Sequence, residues 1–362
     1  MARAKLSISR SALQNNYRVL AEKVPGLKLL PMVKANAYGH HSIYTAKSLL
    51  DEKMLQGFGV STFSEGFELR LGIGKSELPI LVFSDCAPWE ESRFELCENF
   101  KLEPVFSEIS SLLAFQAHPR AEKIKAHIEV NSGMNRMGIS PVQFREVKIS
   151  PASVFTHLAD AENPNSKLTK LQIKTFHDIV LETKVRFPNA LLHFSNSSAI
   201  WNARYFPLTR EMDFVRPGLS LYGVRPFEKA RDQKLKRVMR LTAPILNRYF
   251  LKRGDQVGYG GTYTCKKPRG EWVATLAIGY ADGLFRSLSS KGIAVHEKNK
   301  FKLVGRVSMD LAAVEANAKL KIGDELELWG DSVDPYVQAN FASTIPYEII
   351  TRMGQRLERI YE

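Results

Sequence analysis

The sequence has few cysteines, no long apolar run and no internal repeat, and each absence excludes a class of protein. Only three cysteines occur in 362 residues, Cys86, Cys97 and Cys265, and their odd number and spacing match neither a disulfide framework nor a zinc site. No apolar stretch of about 18 residues is present, so we expect no membrane span. The N-terminal residues also lack the apolar core of a signal peptide. We therefore expect a cytoplasmic protein without a metal site.

Acidic residues are fewer than basic ones, 38 against 51, which gives a formal net charge of +13. Such an excess suits a nucleic-acid binder. The basic residues are scattered, however, and short clusters such as residues 234–237 are isolated and accompany no nucleic-acid-binding signature. We interpret the charge as a solvated surface, partly focused toward an anionic cofactor, and expect no nucleic-acid partner.

The first two-thirds of the chain alternates strand-like apolar runs with helix-like segments. The strand-like runs lie at residues 27–33, 58–62, 80–83, 102–106, 124–130, 153–158, 191–195 and 214–216. The helix-like segments between them include residues 41–51, 65–71, 108–116, 141–147 and 166–184. Eight such units over roughly 200–250 residues are typical of a TIM-type barrel. An open doubly wound sheet is the alternative, and the lack of a G-x-G-x-x-G motif after the first strand disfavours it.

After about residue 237 the pattern changes to short strand-like runs separated by turns. These runs lie at residues 241–250, 272–278, 293–297, 303–307, 324–329 and 357–361. The pattern indicates a mainly-β domain. We therefore predict an α/β protein with an N-terminal (β/α)8 barrel over residues 1–232 and a C-terminal mainly-β domain over 233–362. The first few residues are free to pair with the second domain.

Unusual polar residues follow several of the predicted barrel strands. Lys34 follows the first strand, Arg136 the fifth, His157 lies near the end of the sixth, and Arg216 ends the eighth. Because catalytic groups of such barrels lie at the carboxyl ends of the strands, we expect these side chains to converge on one mouth. Each also has a structural interpretation: a solvated lysine, a buried core histidine, a salt-bridge partner.

Asn196 and Ser197 follow the seventh strand and lead into a helix, where Ser197 would serve at least as a helix cap. The first amides of a helix also bind anions, and Gly218 after Arg216 allows the backbone to approach a ligand closely. Burial would lower the pKa of Lys34 and so favour the neutral amine that reacts with aldehydes. A lysine and a phosphate site at one barrel mouth together predict pyridoxal 5'-phosphate.

The chain closely resembles the bacterial alanine racemases over nearly its whole length. The motifs that carry the resemblance stand in order at residues 34–40, 132–138, 215–218, 258–262, 278–283 and 304–310. The resemblance implies a racemase that interconverts L- and D-alanine and supplies D-alanine for peptidoglycan. It also implies a homodimer whose two active sites are shared between subunits.

The resemblance also implies residue roles. Lys34 is expected to bind the cofactor aldehyde and to act as one of two acid/base groups, with Tyr259 from the second subunit as the other. Two such groups on opposite faces of the α-carbon invert it, and each positioned proton transfer contributes about 10²–10⁴ in rate. Arg216 is expected to face the pyridine nitrogen, and the His157–Arg216 network to help Tyr259 ionise.

The remaining expected contacts concern the phosphate, the phenolic oxygen and the substrate. Tyr38, Ser197 and the amides of Gly218 and Leu219 are expected to cradle the phosphate, and His157 and Asn196 complete the cofactor-binding set. Arg136 is expected to contact the phenolic oxygen and the substrate. Met309 and Asp310 are expected near the substrate carboxylate, and Tyr280 at the access passage.

Three positions depart from the family pattern. Glu129 stands where many relatives have a lysine, which is often carbamylated and then fixes the arginine equivalent to Arg136. We hypothesise that the Glu129 carboxylate takes over that task. Asn131 replaces a frequent aspartate, and Gln355 replaces a phosphate-binding tyrosine of some relatives.

Three other functions remain as alternatives at this point. A decarboxylase or broad-specificity racemase of the same fold is one, although Cys265 lies outside the motif in which such decarboxylases place their cysteine. A non-catalytic single-domain barrel that binds pyridoxal phosphate is the second, although such proteins lack the Tyr259 motif. The third is a nucleic-acid binder, suggested by charge alone.

Overall fold

The structure is a computed structural model that describes residues 3–228, 230 and 234–362. The predicted domain boundary at 232/233 lies outside the described residues. The chain begins with strand β1 (Lys5–Ile8) and helix α1 (Arg10–Lys23). Helix α1 begins after Ser9, whose hydroxyl accepts a hydrogen bond from the Ala12 amide, as an N-cap serine does.

The strands that follow are short and parallel. They are β2 (Lys28–Leu29), β3 (Phe58–Val60), β4 (Ile80–Val82), β5 (Leu102–Phe106), β6 (His127–Glu129), β7 (Ser153–Phe155), β8 (Leu191–His193) and β9 (Phe214–Val215). Strands β3 to β8 pair in order, and β2 pairs with β9. Single bridges between Met32 and Gly59 and between Asn196 and Arg216 join the two sets. The sheet therefore closes on itself, which confirms the predicted barrel and rules out the open sheet.

Helical segments lie between the barrel strands along the chain. They are α2 (Lys34–Tyr38), α3 (Ser42–Leu49), α4 (Phe63–Ile73), α5 (Ser92–Phe100), α6 (Ile109–Gln116), α7 (Lys167–Arg186), α8 (Ser197–Trp201) and α9 (Phe206–Thr209). Short 3-10 helices lie at Pro119–Lys123, Gln143–Glu146, Ala203–Tyr205 and Leu219–Tyr222. The helix expected over residues 141–147 is thus only a 3-10 turn at Gln143–Glu146.

The C-terminal part is built mainly from strands. They are β10 (Met239–Leu251), β11 (Gln256–Val257), β12 (Tyr263–Thr264), β13 (Glu271–Leu276), β14 (Ile293–His296), β15 (Asn299–Val304), β16 (Ala312–Ala316), β17 (Glu325–Trp329) and β18 (Glu358–Tyr361). Helices α10 (Pro335–Ala342) and α11 (Pro346–Thr351) and 3-10 helices at Tyr259–Gly261, Tyr280–Asp282 and Arg286–Leu288 complete it. The mainly-β character is as predicted.

The N-terminal strand belongs to this second sheet. Strand β1 lies between β10, with which it pairs antiparallel, and β18, with which it pairs parallel. Helix α11 in turn packs on α2: the Tyr38 and Tyr347 ring centroids lie 6.2 Å apart, and a Cβ on Gly39 would meet the Ile350 carbonyl oxygen at 2.3 Å. The second domain therefore supports the barrel mouth of its own chain. In the described residues we find no helix with the length and apolarity to cross a membrane.

Candidate active site

The segment after Lys34 adopts a left-handed helical turn made of residues other than glycine. Ala35, Asn36, Ala37 and Tyr38 have φ values of 51°, 51°, 57° and 53°. Each L-residue in this conformation costs roughly 1–2 kcal/mol relative to a right-handed turn. Backbone strain of this kind persists only where surrounding contacts impose it, and it concentrates at functional sites. The turn thus makes the residues around Lys34 a candidate functional site.

Glu65 at the start of helix α4 is one of the groups that impose this turn. Its Oε1 accepts a hydrogen bond from the Ala35 amide at 2.7 Å, and its Oε2 accepts one from the Ser61 amide at 2.7 Å. The carboxylate therefore joins the Lys34 turn to the end of strand β3.

His40 and Tyr222 hold the other end of the turn. His40 is fully buried, its Nδ1 lies 2.9 Å from the Tyr38 carbonyl, and its ring stacks on Tyr222 at 4.4 Å. The Tyr222 hydroxyl donates to the Met32 carbonyl at 2.8 Å. The backbone on both sides of Lys34 is thereby fixed.

The Lys34 amine lies among charges of both signs at the barrel mouth. Burial lowers its pKa, and the positive charges of Arg136 and Arg216 lower it further, whereas Glu65 and Glu129 oppose the shift. A lowered pKa increases the fraction of neutral amine at a given pH, as an amine nucleophile or general base requires.

Arg216 is almost completely buried at the end of strand β9 and is held by several groups. Its guanidinium donates to His193 Nδ1, to the Thr156 carbonyl at 3.0 Å and toward His157 Nδ1 at 3.4 Å. It also lies over the Phe155 ring, 4.7 Å from the centroid. Burial lowers its pKa to about 10, so Arg216 stays cationic near neutral pH.

His157 is neutral rather than cationic. Burial lowers its pKa to about 3, and the nearby charges of Arg216, Arg136 and Lys34 contribute. In the expected His157–Arg216 network, the positive charge that could help a tyrosine ionise is therefore that of Arg216. The Gln172 side chain on α7 donates to the His157 carbonyl at 2.8 Å and holds this loop.

A second group of polar atoms lies where α8 faces the loop after β9. Ser197 is the first residue of α8 and not its cap: Asn196 caps the helix by accepting from the Ala199 amide at 3.0 Å. The Ser197 hydroxyl instead accepts from the Gly218 amide at 2.9 Å and from the Ser220 amide at 3.3 Å. Leu219 begins the next 3-10 helix, where the first amides have no partner within the helix.

Tyr38 closes this group from the Lys34 turn. A Cβ on Gly218 would meet the Tyr38 hydroxyl at 2.5 Å, so only glycine allows this approach. Burial raises the Tyr38 pKa well above its usual value, which keeps the hydroxyl protonated and able to donate. The structure thus brings Tyr38, Ser197, Gly218 and Leu219 together.

The hypothesised Glu129–Arg136 pair is not made in this structure. Glu129 is buried, and its Oε2 accepts a hydrogen bond from the Ser107 hydroxyl at 2.6 Å. Arg136 lies on an exposed loop, and no ion pair to it is found within the described residues. Asn131 keeps that loop in shape, since its Oδ1 accepts from the amides of Gly133 and Asn135 at 3.0 and 3.1 Å.

The predicted residues of the second domain lie on its surface. Tyr259, Tyr280 and Met309 are 72%, 39% and 53% exposed. Asp310 is ion-paired with Arg356 at 2.7 Å, and an anion in that position is a poor direct partner for a carboxylate. The structure of one chain therefore does not bring these four to the Lys34 site.

The sequence did not identify two residues, one at the Lys34 site and one beside the Tyr259 loop. His193 lies inside strand β8 and contacts Arg216, and no sequence signal distinguishes it from a core histidine. Arg306 lies beside the Tyr259 loop, since a Cβ on Gly260 would meet its Nη1 at 3.2 Å. Its place in the motif at residues 304–310 was the signal that could have identified it.

Comparisons with known proteins agree in both domains. Residues 8–226 match the family model for the alanine racemase N-terminal domain, and residues 238–361 match that for the C-terminal domain. An alanine racemase of Neisseria meningitidis is 36% identical over 349 residues, which cover 93% of both chains, and one of Coxiella burnetii is 30% identical over 379 residues and 99% of both. The crystal structure of alanine racemase from Bartonella henselae with covalently bound pyridoxal phosphate superposes with a TM-score of 0.89 at 29% identity, over the whole of both chains.

Proposed function

The chain belongs to the alanine racemase family, and we propose that it inverts the α-carbon of alanine with Lys34 and Tyr259 of the partner subunit as its two acid/base groups. It is a pyridoxal-phosphate-dependent racemase that interconverts L- and D-alanine, and the general role of its family is to supply D-alanine for peptidoglycan. The observation that carries the residue assignment is the rigid left-handed turn that presents one half-buried lysine at the barrel mouth beside Arg216.

The residues at the mouth fit pyridoxal phosphate. The Ser220 hydroxyl is buried without a hydrogen-bond partner among the described residues, next to the Ser197–Gly218 contact. A phosphate there would accept from this hydroxyl, from Tyr38 and from the Leu219 amide, and would satisfy the buried donor. Arg216 would hold the pyridine nitrogen, and Lys34 the aldehyde carbon. When bound, the cofactor supplies an electron sink for the α-carbon of the amino acid.

Arg216 would set the charge at the pyridine nitrogen of a bound cofactor. A guanidinium only donates hydrogen bonds and does not give up its proton near neutral pH. A contact with Arg216 would therefore leave that nitrogen unprotonated. We infer that this limits side reactions such as transamination.

Lys34 holds or moves the proton on one face of the α-carbon. Its burial and the neighbouring Arg136 and Arg216 lower its pKa, which favours the neutral amine that can accept a proton. A second group on the opposite face is needed, because one base returning the proton on the same face retains the configuration.

Tyr259 is proposed to arrive from the second subunit. Its high exposure and the exposed Met309 and Tyr280 indicate a surface that another subunit covers. A two-fold dimer would place this surface over the barrel mouth of its neighbour and create two identical shared sites. Arg306 lies beside the Tyr259 loop and would enter the shared site with it.

We also propose a cytoplasmic location. The three cysteines are buried free thiols, as is usual in a reducing compartment. Fractionation of cells that express the protein at native level tests this location.

A deuterium experiment tests the two-group assignment. L-alanine is incubated in D2O with the cofactor-loaded enzyme, and both enantiomers are analysed early by chiral separation and mass spectrometry. Two separate groups place deuterium in nearly every D-alanine molecule formed. D-alanine that keeps the original protium would show that one group removes and returns the proton.

Mixed dimers test the sharing of the site. Lys34→Ala and Tyr259→Phe variants are each expected to be nearly inactive, and equal amounts of the two are unfolded and refolded together. With shared sites, half of the dimers are mixed and contain one intact site, so activity returns to about one quarter of the wild-type value. No recovery, with mixed dimers demonstrated by mass spectrometry, would show that both groups act within one subunit.

A further inference from the structure

A chain of buried polar side chains crosses the barrel interior behind Arg216. Glu103 Oε2 lies 2.9 Å from His127 Nε2, and His127 Nδ1 lies 2.7 Å from the Ser153 hydroxyl oxygen. That oxygen lies 3.0 Å from His193 Nε2, and His193 Nδ1 contacts Arg216. Ser153 and His193 are fully buried, and His127 is 4% exposed.

Arg216, which can only donate, and the Glu103 carboxylate, which can only accept, fix the direction of every hydrogen bond in this series of side chains. Arg216 can only donate, so His193 Nδ1 accepts and the His193 proton lies on Nε2. The His193 Nε2–H therefore donates to Ser153. The Ser153 hydroxyl then donates to His127 Nδ1, and His127 Nε2–H donates to the Glu103 carboxylate, which can only accept.

A doubly protonated His127 would disturb this order. Its Nδ1–H would donate to Ser153, whose oxygen would then accept from both histidines. The hydroxyl proton of Ser153 would have no acceptor among the described residues, and an unpaired buried donor is costly. With both histidines neutral, each ring nitrogen and the Ser153 hydroxyl have a hydrogen-bond partner.

We propose that Glu103, His127 and Ser153 are positioning residues that hold His193 as the Nε2–H tautomer, and thereby fix Arg216 as a donor aimed at the cofactor. Aligned hydrogen bonds that end on a carboxylate polarise one another, which strengthens the acceptor at His193 Nδ1. The carboxylate at the far side of the barrel thus sets the electrostatic surroundings of the catalytic mouth. This inference rests on the proposed role of Arg216 at the pyridine nitrogen.

The tautomers can be measured without reference to activity. In the holoenzyme labelled with 15N-histidine, the Nε2 signals of His127 and His193 have the shifts of protonated nitrogen and the Nδ1 signals those of an acceptor, at pH 7 to 9. His193 protonated on Nδ1 would overturn the proposal. Ser153→Ala is expected to change the His193 signals, and Ser153→Thr, which keeps a hydroxyl, is expected to preserve them.

Kinetics test whether this order matters to catalysis. Ser153→Ala is expected to lower kcat by about three- to tenfold, the effect of one neutral hydrogen bond, with little change in KM for alanine or in bound pyridoxal phosphate. Glu103→Gln removes only the charge and is expected to act in the same direction. Ser48→Ala is the matched control, because Ser48 is also a buried serine with a hydrogen-bonded hydroxyl. Its hydroxyl donates to the Tyr44 carbonyl at 2.8 Å within α3, away from the mouth. It is expected to leave kcat and KM unchanged.

The outcomes separate this proposal from the proposed function. Unchanged kcat for alanine racemisation in both Ser153→Ala and Glu103→Gln would overturn the positioning role and leave the proposed function standing. If Ser153→Ala fails to fold, Glu103→Gln decides the question. The expected histidine signals in a protein that carries cofactor but racemises no alanine would refute the function and leave the hydrogen-bond order standing.

Discussion

Gly218 offers the sharpest test of the phosphate cradle. In Gly218→Ala, the new Cβ would lie 2.5 Å from the Tyr38 hydroxyl oxygen, whereas ordinary contacts begin near 3.4 Å. The ring must therefore move by about 1 Å. It is not free to do so, because the Tyr222 and Tyr347 rings lie 5.1 and 6.2 Å away. Overpacking of this size costs roughly 1–3 kcal/mol of folding free energy.

The same movement withdraws the Tyr38 hydroxyl from the phosphate. A hydrogen bond to a charged group contributes about 1.5–3 kcal/mol, so the dissociation constant of pyridoxal phosphate should rise roughly tenfold to a hundredfold. Urea unfolding of the apoprotein measures the first effect, and titration with cofactor, followed by absorbance, measures the second.

A second substitution separates the two effects. In the double variant with Tyr38→Phe, the nearest atom becomes Cζ at 3.1 Å, so much of the lost stability returns while the cofactor affinity stays low. The control is Gly66→Ala, whose Cβ meets only Leu102 and Val60 side chains at 3.2 Å or more, and its cofactor affinity should match wild type. Wild-type stability and affinity in Gly218→Ala would refute the assigned cradle.

Three further predictions concern the acid/base groups and their support. Tyr259→Phe should lower kcat/KM for racemisation by about 10²–10⁴, and equally in both directions because the enantiomers are isoenergetic. In this variant Lys34 should still exchange the α-proton of one enantiomer with D2O. Loss of exchange for both enantiomers would contradict separate groups. The pKa of His157 is about 3, and that of His193 is lowered by burial and Arg216. Below pH 6.5 the unfolded chain therefore binds more protons than the folded one. The free energy of unfolding should then fall as the pH falls, by up to roughly 1.4 kcal/mol per pH unit for each histidine. Urea unfolding between pH 8 and 5 checks this, His157→Asn should reduce the slope, and a flat profile would contradict it. In Glu65→Gln one of the two accepting oxygens is replaced by an NH2 group, so the fold should be destabilised by about 1–3 kcal/mol in the same assay. Wild-type stability would show that the carboxylate does not impose the turn.

The barrel strands were predictable because each is an apolar run that ends at polar residues. All eight runs contain a strand, but every one of these strands except β5 is shorter than its run. The run at 27–33, for example, pairs only over Lys28–Leu29, with one further bridge at Met32. Strand β16 (Ala312–Ala316), which was missed together with the two-residue strands β11 and β12, consists largely of alanine, a residue depleted in strands. Its place in the sheet depends on its neighbours β13 and β15.

The left-handed turn and the His193 contact were not predictable from the sequence. Residues 35–38 contain no glycine, and local propensity opposes their conformation, which tertiary contacts such as Glu65 to Ala35 impose. His193 meets Arg216 only because the barrel closes between β8 and β9. The site residues Lys34, Ser197, Arg216 and Gly218 could be predicted because they lie at or just after the ends of the apolar runs 27–33, 191–195 and 214–216. Their hydrogen-bond partners come from distant parts of the chain and could not.

The most direct test of the central claim is optical. The purified protein, loaded with pyridoxal phosphate, is added to L-alanine, and circular dichroism is followed until it is constant while total alanine is measured separately. A racemase brings the ellipticity to zero with no loss of alanine, because equal amounts of the two enantiomers are the equilibrium. An unchanged signal from protein that demonstrably carries the cofactor on Lys34 would contradict the account.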